Sequence, residues 1–219
     1  MVKLWEIFFR KRRGAVKGYI LSVNRAKDED TVVTVLCQEQ LFTLYRFYGA
    51  RHSTINLGFK IDFEISEGKS NISRLRSVLH EGFSWIGDIN RMLVWQQLCQ
   101  LLYEHLKDNE MVEGFYYELL DEVANIWHLQ NPKRIAIEFY IKLLEHEGRL
   151  HLDDNCFLCE KPLNEDPALV RAFLPTHAKC SFAKAFPKKS LETLFHEHSS
   201  IDLDDKEVDR LYDILSEGL

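Results

Sequence analysis

Four residues stand at spacings that suit a metal ion: Cys156-x-x-Cys159, then 17 residues, then His177-x-x-Cys180. A Cys-x-x-Cys pair lets two thiolates reach one ion from a tight turn, and a second two-ligand pair completes a tetrahedron. Three thiolates and one imidazole favour Zn2+, and four protein ligands leave no open coordination position, so the site is structural rather than hydrolytic. The energetics agree. Between Leu150 and Pro187 the hydrophobic periodicity disappears, and a segment of ~35 residues that cannot bury enough apolar surface gains folding free energy from a metal. Two other readings stand beside this one: a redox pair, which belongs to a βαβ context missing here, and a cluster that holds no metal. His196-x-His198 reads as an ordinary helix end and His151 as a reserve ligand. Cys37 and Cys99 read as core thiols.

The second chemical feature is the run Tyr45-Arg46-Phe47-Tyr48-Gly49-Ala50-Arg51-His52. On a strand, Arg46 and Tyr48 share one face and Tyr45 and Phe47 the other. One aromatic set is then core, and the other offers a base-stacking surface beside a cation. Cations that track phosphates and aromatics that stack bases bind single-stranded nucleic acid without reading its sequence. The candidate DNA contacts are Lys17, Arg46, Arg51, His52, Lys60, Arg74 and Arg76, with Arg25 and Lys27 able to extend the groove. Against this stands the ordinary use of aromatic strands as core and of arginine as surface.

The elements that must position these residues follow from periodicity. Residues 17–23, 31–37, 41–48, 59–65 and 71–80 read as strands, and Phe59, Ile61, Phe63 and Ile65 alternate most cleanly with polar neighbours. Five short strands suit a small closed barrel, an OB-fold being the economical choice because closure removes exposed edges. The period then changes. Ile86, Ile89 and Leu93 open a helix running through Leu106. A second helix covers Val112 to Trp127, Asn131-Pro132 caps a third that Gly148 stops, and Val208 to Leu215 is a fourth.

With 219 residues, 46% of them hydrophobic, the chain is long enough for one or two packed domains, and no apolar run suits a membrane span. The net charge of −6 hides a division: residues 1–80 carry 14 basic and 8 acidic residues, and residues 81–219 carry 14 and 26. Such a split suggests two modules with different partners. Residues 1–13 place their basic cluster after the apolar stretch, opposite to a secretory signal, so a cytoplasmic protein is expected. No P-loop, nucleophile elbow or His-Glu-x-x-His motif occurs, and no enzyme is expected.

The stretches KGYILSVNRAKDED (17–30), LYRFYGARHS (44–53), NPKRIAIEFYIKLLEHEGRLH (131–151), CFLCEKP and FLPTHAKC together resemble the RecO family of bacterial recombination mediators, in a short, divergent form. The resemblance covers residues 16–219. It implies an α+β, two-domain chain: an OB-fold β-barrel at 15–80, an α-helical domain at 81–149 and 184–219, and a zinc-finger-like insertion at 150–183, with residues 1–14 as an N-terminal extension. It also implies binding of single- and double-stranded DNA and annealing of complementary strands. It further implies contact with the C-terminal tail of single-stranded-DNA-binding protein (SSB), work with RecR, and help in loading RecA, in a nucleoid-associated setting. The family's usual zinc pattern has four cysteines, whereas His177 stands here for one. Lys133 and Arg134 are candidate rim residues for the acidic SSB tail, because helix N-termini favour anions. The rival functions are a zinc-stabilised protein-interaction adaptor and an OB-fold RNA-binding protein.

Overall fold

Alternating residues of five strands build the first unit. In the computed structural model, which describes residues 16–51, 53–67, 72–151 and 154–218, these are β1 (Val16–Arg25), β2 (Thr31–Cys37), β3 (Gln40–Arg46), β4 (Lys60–Ser66) and β5 (Arg74–Glu81). The expected extension at 1–14 lies outside the described residues. The strands close in the order β1-β2-β3-β5-β4, with β1 also paired to β4. All pairings are antiparallel except β3 with β5, where Tyr45 meets Arg74. This is the expected OB-fold barrel. Ile20, Val33, Val35, Leu44, Ile61, Phe63 and Leu75 fill its interior. Burial in β4 falls on Ile61 and Phe63 while Lys60, Asp62 and Glu64 stay partly or fully accessible, the period-two signature of one packed face.

Closure needs one close approach. A Cβ on Gly18 would lie 2.5 Å from Val35 Cγ1, 2.7 Å from the Leu36 carbonyl oxygen and 2.8 Å from Cys37 Sγ. Only glycine lets β1 cross β2 at that distance. Nearby, the Phe59 and His80 rings stack at 4.0 Å, and His80 Nε2 is buried without a hydrogen-bond partner.

The chain departs from strand geometry earlier than alternation suggests. β3 ends at Arg46, and Tyr48 takes a left-handed φ of 52° while its N–H donates to Asp30 Oδ1 at 2.7 Å. A local carboxylate competes with the ladder for that backbone donor.

Helices α1 (Ile89–Leu106), α2 (Gly114–Ile126) and α3 (Pro132–His146) follow. α1 starts at Ile89 rather than Ile86, because the Asp88 carboxylate accepts from Asn90 N and Arg91 N and caps the first turn. Its buried stripe is Trp95, Leu98, Cys99, Leu102 and Leu106, while Ile89 and Leu93 are exposed. Trp95 packs edge-on to Trp85 and Trp127, at 5.4 and 5.1 Å. α3 is framed as its sequence indicates. Asn131 caps it by accepting from Lys133 N, and Gly148, at φ 66°, ends it with Arg149 N donating to the Leu144 carbonyl at 2.7 Å.

The chain divides into Met1–Ser84 with Leu106–Glu118, and Trp85–His105 with Leu119–Leu219. The expected helical domain therefore yields 106–118 to the barrel unit. The reason is backbone pairing: Leu41 N donates to the Glu110 carbonyl, Val112 N to that of Glu39, and Gln40 bridges Met111. Beyond α3 come the hairpin β6 (Ala168–Val170) and β7 (Leu174–Thr176), a single turn α4 (Ala178–Ser181), α5 (Lys188–Glu197) and α6 (Asp205–Ser216). Periodicity does not reveal α4 or the hairpin, which are too short to carry a period. Among the described residues, no helix is long and apolar enough to cross a membrane.

Gly18→Ala is expected to lower unfolding free energy by about 1–3 kcal/mol in urea denaturation, whereas Gly87→Ala, with nothing within 4 Å of its added Cβ, is expected to be near neutral. Burial holds His80 below its ordinary pKa of 6.5. The folded state therefore favours the neutral ring, and its contribution is complete above about 6.5 and is lost as pH falls through the lower folded value. The stability difference between the wild type and His80→Phe, followed by denaturation across pH 5–8, is expected to shift against the wild type as pH falls.

Candidate functional site

The metal cluster assembles from two knuckles. In the first, Cys156 N donates to the Lys161 carbonyl at 2.9 Å and Glu160 N returns to the Cys156 carbonyl at 2.8 Å, with Glu160 in the left-handed region. The second is α4, where His177 is N-cap and Cys180 N donates to the His177 carbonyl at 2.9 Å. The β6–β7 hairpin ends at Thr176, directly before His177, and Phe157 N donates to the Pro175 carbonyl at 2.9 Å, so the hairpin holds one knuckle against the other.

All four expected ligands converge: the ligand atoms of Cys156, Cys159, His177 and Cys180 lie within 4.8 Å of one another. A tetrahedron with metal–sulfur near 2.3 Å and metal–nitrogen near 2.0–2.1 Å sets sulfur–nitrogen edges of about 3.6 Å. His177 Nδ1 lies 3.4 Å from Cys159 Sγ and 3.8 Å from Cys180 Sγ, on either side of that value. Its Nε2 faces the Pro162 carbonyl at 3.1 Å. That acceptor places the ring proton on Nε2 and leaves the Nδ1 lone pair turned to the cluster, the usual arrangement for a ligating histidine. Burial opposes ionisation of Cys156, yet the N–H groups of His177, Cys159 and Leu158, with the Cys159 side chain, outweigh it and bring the thiol down to about 6. Burial and the neighbouring sulfurs of Cys159 and Cys156 push Cys180 up to about 11. Adjacent sulfurs resist carrying charge together, and a cation is what relieves them. The donor set and its spacing thus fit a metal ion. His196 and His198 lie outside the cluster, at the end of α5.

The expected DNA contacts divide between the two ends of the barrel. The register aligns Arg25 with Thr31, Thr31 with Arg46, Tyr45 with Arg74, Ser66 with Arg74, and Glu64 with Arg76. Arg46, Arg74 and Arg76 therefore gather at one end, with Arg25 beside them. Lys60 pairs with Glu81 and Lys17 with Asp62. That places both lysines toward the other end of the β4–β5 ladder, Lys60 six residues or about 20 Å along it from Arg74, and Lys17, opposite Asp62, four. The single groove expected from sequence is corrected accordingly. Lys17 and Lys60 both pair with Glu81, and Lys60 lies over the Tyr19 ring at 5.5 Å. Arg51 pairs with Glu29. Arg46, Arg74 and Arg76 have no carboxylate partner among the described residues. His52 lies outside the described residues.

Arg46 also differs from its expected place on an open face. It turns toward the barrel interior and donates from Nη1 to the Leu75 carbonyl at 3.0 Å, while its Nε is buried without a partner. Burial, then the nearby Arg76 charge, lowers its pKa. The aromatic surface is supplied instead by Phe47 and Tyr48, 44% and 59% exposed. Arg74 lies over the Phe47 ring at 5.0 Å, and Arg51 over Tyr48 at 5.6 Å. Asp30 positions this run, accepting from Tyr45 Oη at 2.5 Å as well as from Tyr48 N. The Tyr45 hydroxyl, then the Tyr48 N–H, holds the Asp30 carboxyl below its ordinary value. Asp30 carries no signal of this role in the sequence, because an acid in a turn gives no sign of its partner.

Lys133 and Arg134, expected at the rim of an anion pocket, are engaged within their own unit. Arg134 donates to the Ser200 carbonyl at 2.5 Å, the Leu203 carbonyl at 2.9 Å and Asp205 Oδ1 at 3.1 Å. Lys133 pairs with Asp209 at 2.7 Å and lies over the Tyr212 ring at 5.2 Å. Arg134 thus braces the loop between α5 and α6, and the pair presents no free cationic rim.

Residues 16–86 match the family described as RecO N terminal. No curated protein matches the chain.

Replacing His177 by Ala is expected to abolish stoichiometric metal binding in purified protein, measured by elemental analysis. It is also expected to lower the melting temperature of the second unit, because ligation there is folding free energy.

Proposed function

From the match of residues 16–86 to the family described as RecO N terminal, we propose that the protein is a DNA-binding recombination mediator. The family match supports a general role in DNA recombination and repair. The finer reading is that the chain anneals complementary strands and, with RecR, helps RecA load onto SSB-coated single strands. No covalent bond is made or broken in that work.

The observation that carries this reading is the uncompensated end of the barrel. Two guanidinium groups, on Arg74 and Arg76, meet no carboxylate among the described residues, and the exposed rings of Phe47 and Tyr48 belong to the same end of the barrel, with Arg74 over the Phe47 ring. Like charges held together in a fold are costly unless an anion joins them. Phosphate oxygens supply that anion, with guanidinium able to engage them bidentately, and exposed bases stack on the rings. Strands held on such a surface keep their base edges free to find a complement, which is what annealing requires. The carboxylate pairing of Lys17, Lys60 and Arg51 keeps those cations from competing with the arginine end for the strand.

The metal in this reading is Zn2+ bound by Cys156, Cys159, His177 and Cys180, in a structural role. When bound it neutralises the thiolates and fixes the two knuckles. The SSB tail and RecR are partners of the same reading, with the tail's contact elsewhere than Lys133 and Arg134. A protein-interaction adaptor is the second reading, favoured by the acidic excess of residues 81–219.

The deciding assay is annealing of complementary strands coated with cognate SSB, followed by duplex formation. The wild type is expected to accelerate it, and acceleration is expected to vanish when SSB lacks its tail. Arg74→Ala/Arg76→Ala is expected to slow annealing and to flatten the dependence of log affinity on log salt by about 0.7 for each lost single-strand contact. No acceleration by a folded wild type supplied with RecR would favour the adaptor.

A further inference from the structure

The metal module exposes apolar side chains on its knuckles. Phe182 is 95% exposed, Phe157 58% and Leu158 52%. Phe157 follows Cys156 directly and Phe182 is the second residue after Cys180, and the two ligand sulfurs lie within 4.8 Å of each other. The two rings therefore leave one small module. Phe182 is held out under strain: it is the C-cap of α4 with φ 56°, a left-handed position that glycine normally fills. A bulky ring standing in water on an unfavourable backbone is unexplained by folding.

The surrounding charges say what could meet these rings. Lys161, Lys179 and Lys184 are exposed and have no carboxylate partner among the described residues, although their unit is acidic as a whole. Glu160 is the acid within the same knuckle. Local unpaired cations beside exposed rings complement a polyanion that carries flat apolar groups. An acidic peptide with an apolar end needs a concave pocket to receive its apolar end, whereas Phe182 stands 95% exposed.

We propose that the knuckles of the metal module form a second contact for single-stranded nucleic acid, in which Phe157 and Phe182 stack on unpaired bases and Lys161, Lys179 and Lys184 meet the phosphates. The proposal extends to the second unit the ligand class assigned to the barrel, and shares with that assignment only the choice of ligand. Stacking requires unpaired bases, so this contact discriminates single strands from duplex.

The test uses the full chain with its metal retained and a fluorescein-labelled 30-residue oligo-dT. Phe157→Ala/Phe182→Ala is expected to weaken oligo-dT binding about tenfold, with the salt slope and duplex affinity unchanged. Lys161→Ala/Lys179→Ala/Lys184→Ala is expected to flatten the salt slope by about 0.7 per lost contact. Metal content and melting temperature verify that each variant is folded. Independently, wild-type protein irradiated with an oligonucleotide carrying 5-iododeoxyuridine is expected to yield cross-links within residues 154–184. Unchanged oligo-dT affinity in the phenylalanine variant, or absence of those cross-links, would overturn the proposal. So would loss of binding to an acidic, apolar-ended peptide with oligo-dT affinity intact, which would make the module a protein-docking surface. Arg74→Ala/Arg76→Ala separates the two sites: loss there alone leaves the barrel reading standing without this one, and loss in the knuckle variants alone does the reverse.

Discussion

A single parallel joint between β3 and β5 organises the barrel. Tyr45 pairs with Arg74, and Tyr45 N donates to the Ser73 carbonyl at 2.9 Å. Without that joint the five strands are an open sheet with two unpaired edges. With it, the end of β3 and the start of β5 meet, and every arginine near either terminus is drawn to one place. The same step that satisfies the backbone donors therefore concentrates positive charge. Gly18 supplies the complementary condition on the far side of the ring, where β1 must cross β2 too closely for any side chain.

Charge compensation then divides the surface of the barrel. Glu81 neutralises the end where Lys17 and Lys60 lie, and Glu29 holds Arg51. Asp30 is placed differently. It takes two neutral donors, Tyr45 Oη and Tyr48 N, so its charge anchors the aromatic segment without pairing an arginine. Among the described residues, the acids of the barrel thus leave Arg74 and Arg76 without a carboxylate partner.

The second unit reaches order by two routes. Its helices pack through large aromatic contacts, with Trp95 between Trp85 and Trp127 and Arg134 tying the α5–α6 loop to the start of α3. The knuckle segment has neither periodicity nor length for a core. Its two turns are set by short backbone hydrogen bonds and brought together by a three-residue-per-strand hairpin. Four candidate ligands from segments 17 residues apart converge there, and a metal held by them would supply folding free energy.

Local patterns are legible wherever the interaction that decides them is local. Alternation in 60–66 marks β4, Asn131-Pro132 and Gly148 mark the ends of α3, and the two ligand pairs carry the metal cluster in their spacing alone. The resemblance to RecO and the charge division that suggests two modules with different partners are legible for the same reason, since both reside in residue identities along the chain. What depends on register does not show. Seven residues are equally plausible contacts in one dimension, and only the β3–β5 and β4–β5 pairings separate Arg74 and Arg76 from Lys17 and Lys60. The inward turn of Arg46, the capture of Lys133 and Arg134 by Asp209, Asp205 and two carbonyls, and the pairing of 106–118 with the barrel edge are likewise contacts between distant positions. Residue type and spacing determine which chemistry is possible and which elements form; whether a charge is neutralised or free is set by which partner the closed fold brings within a few ångströms.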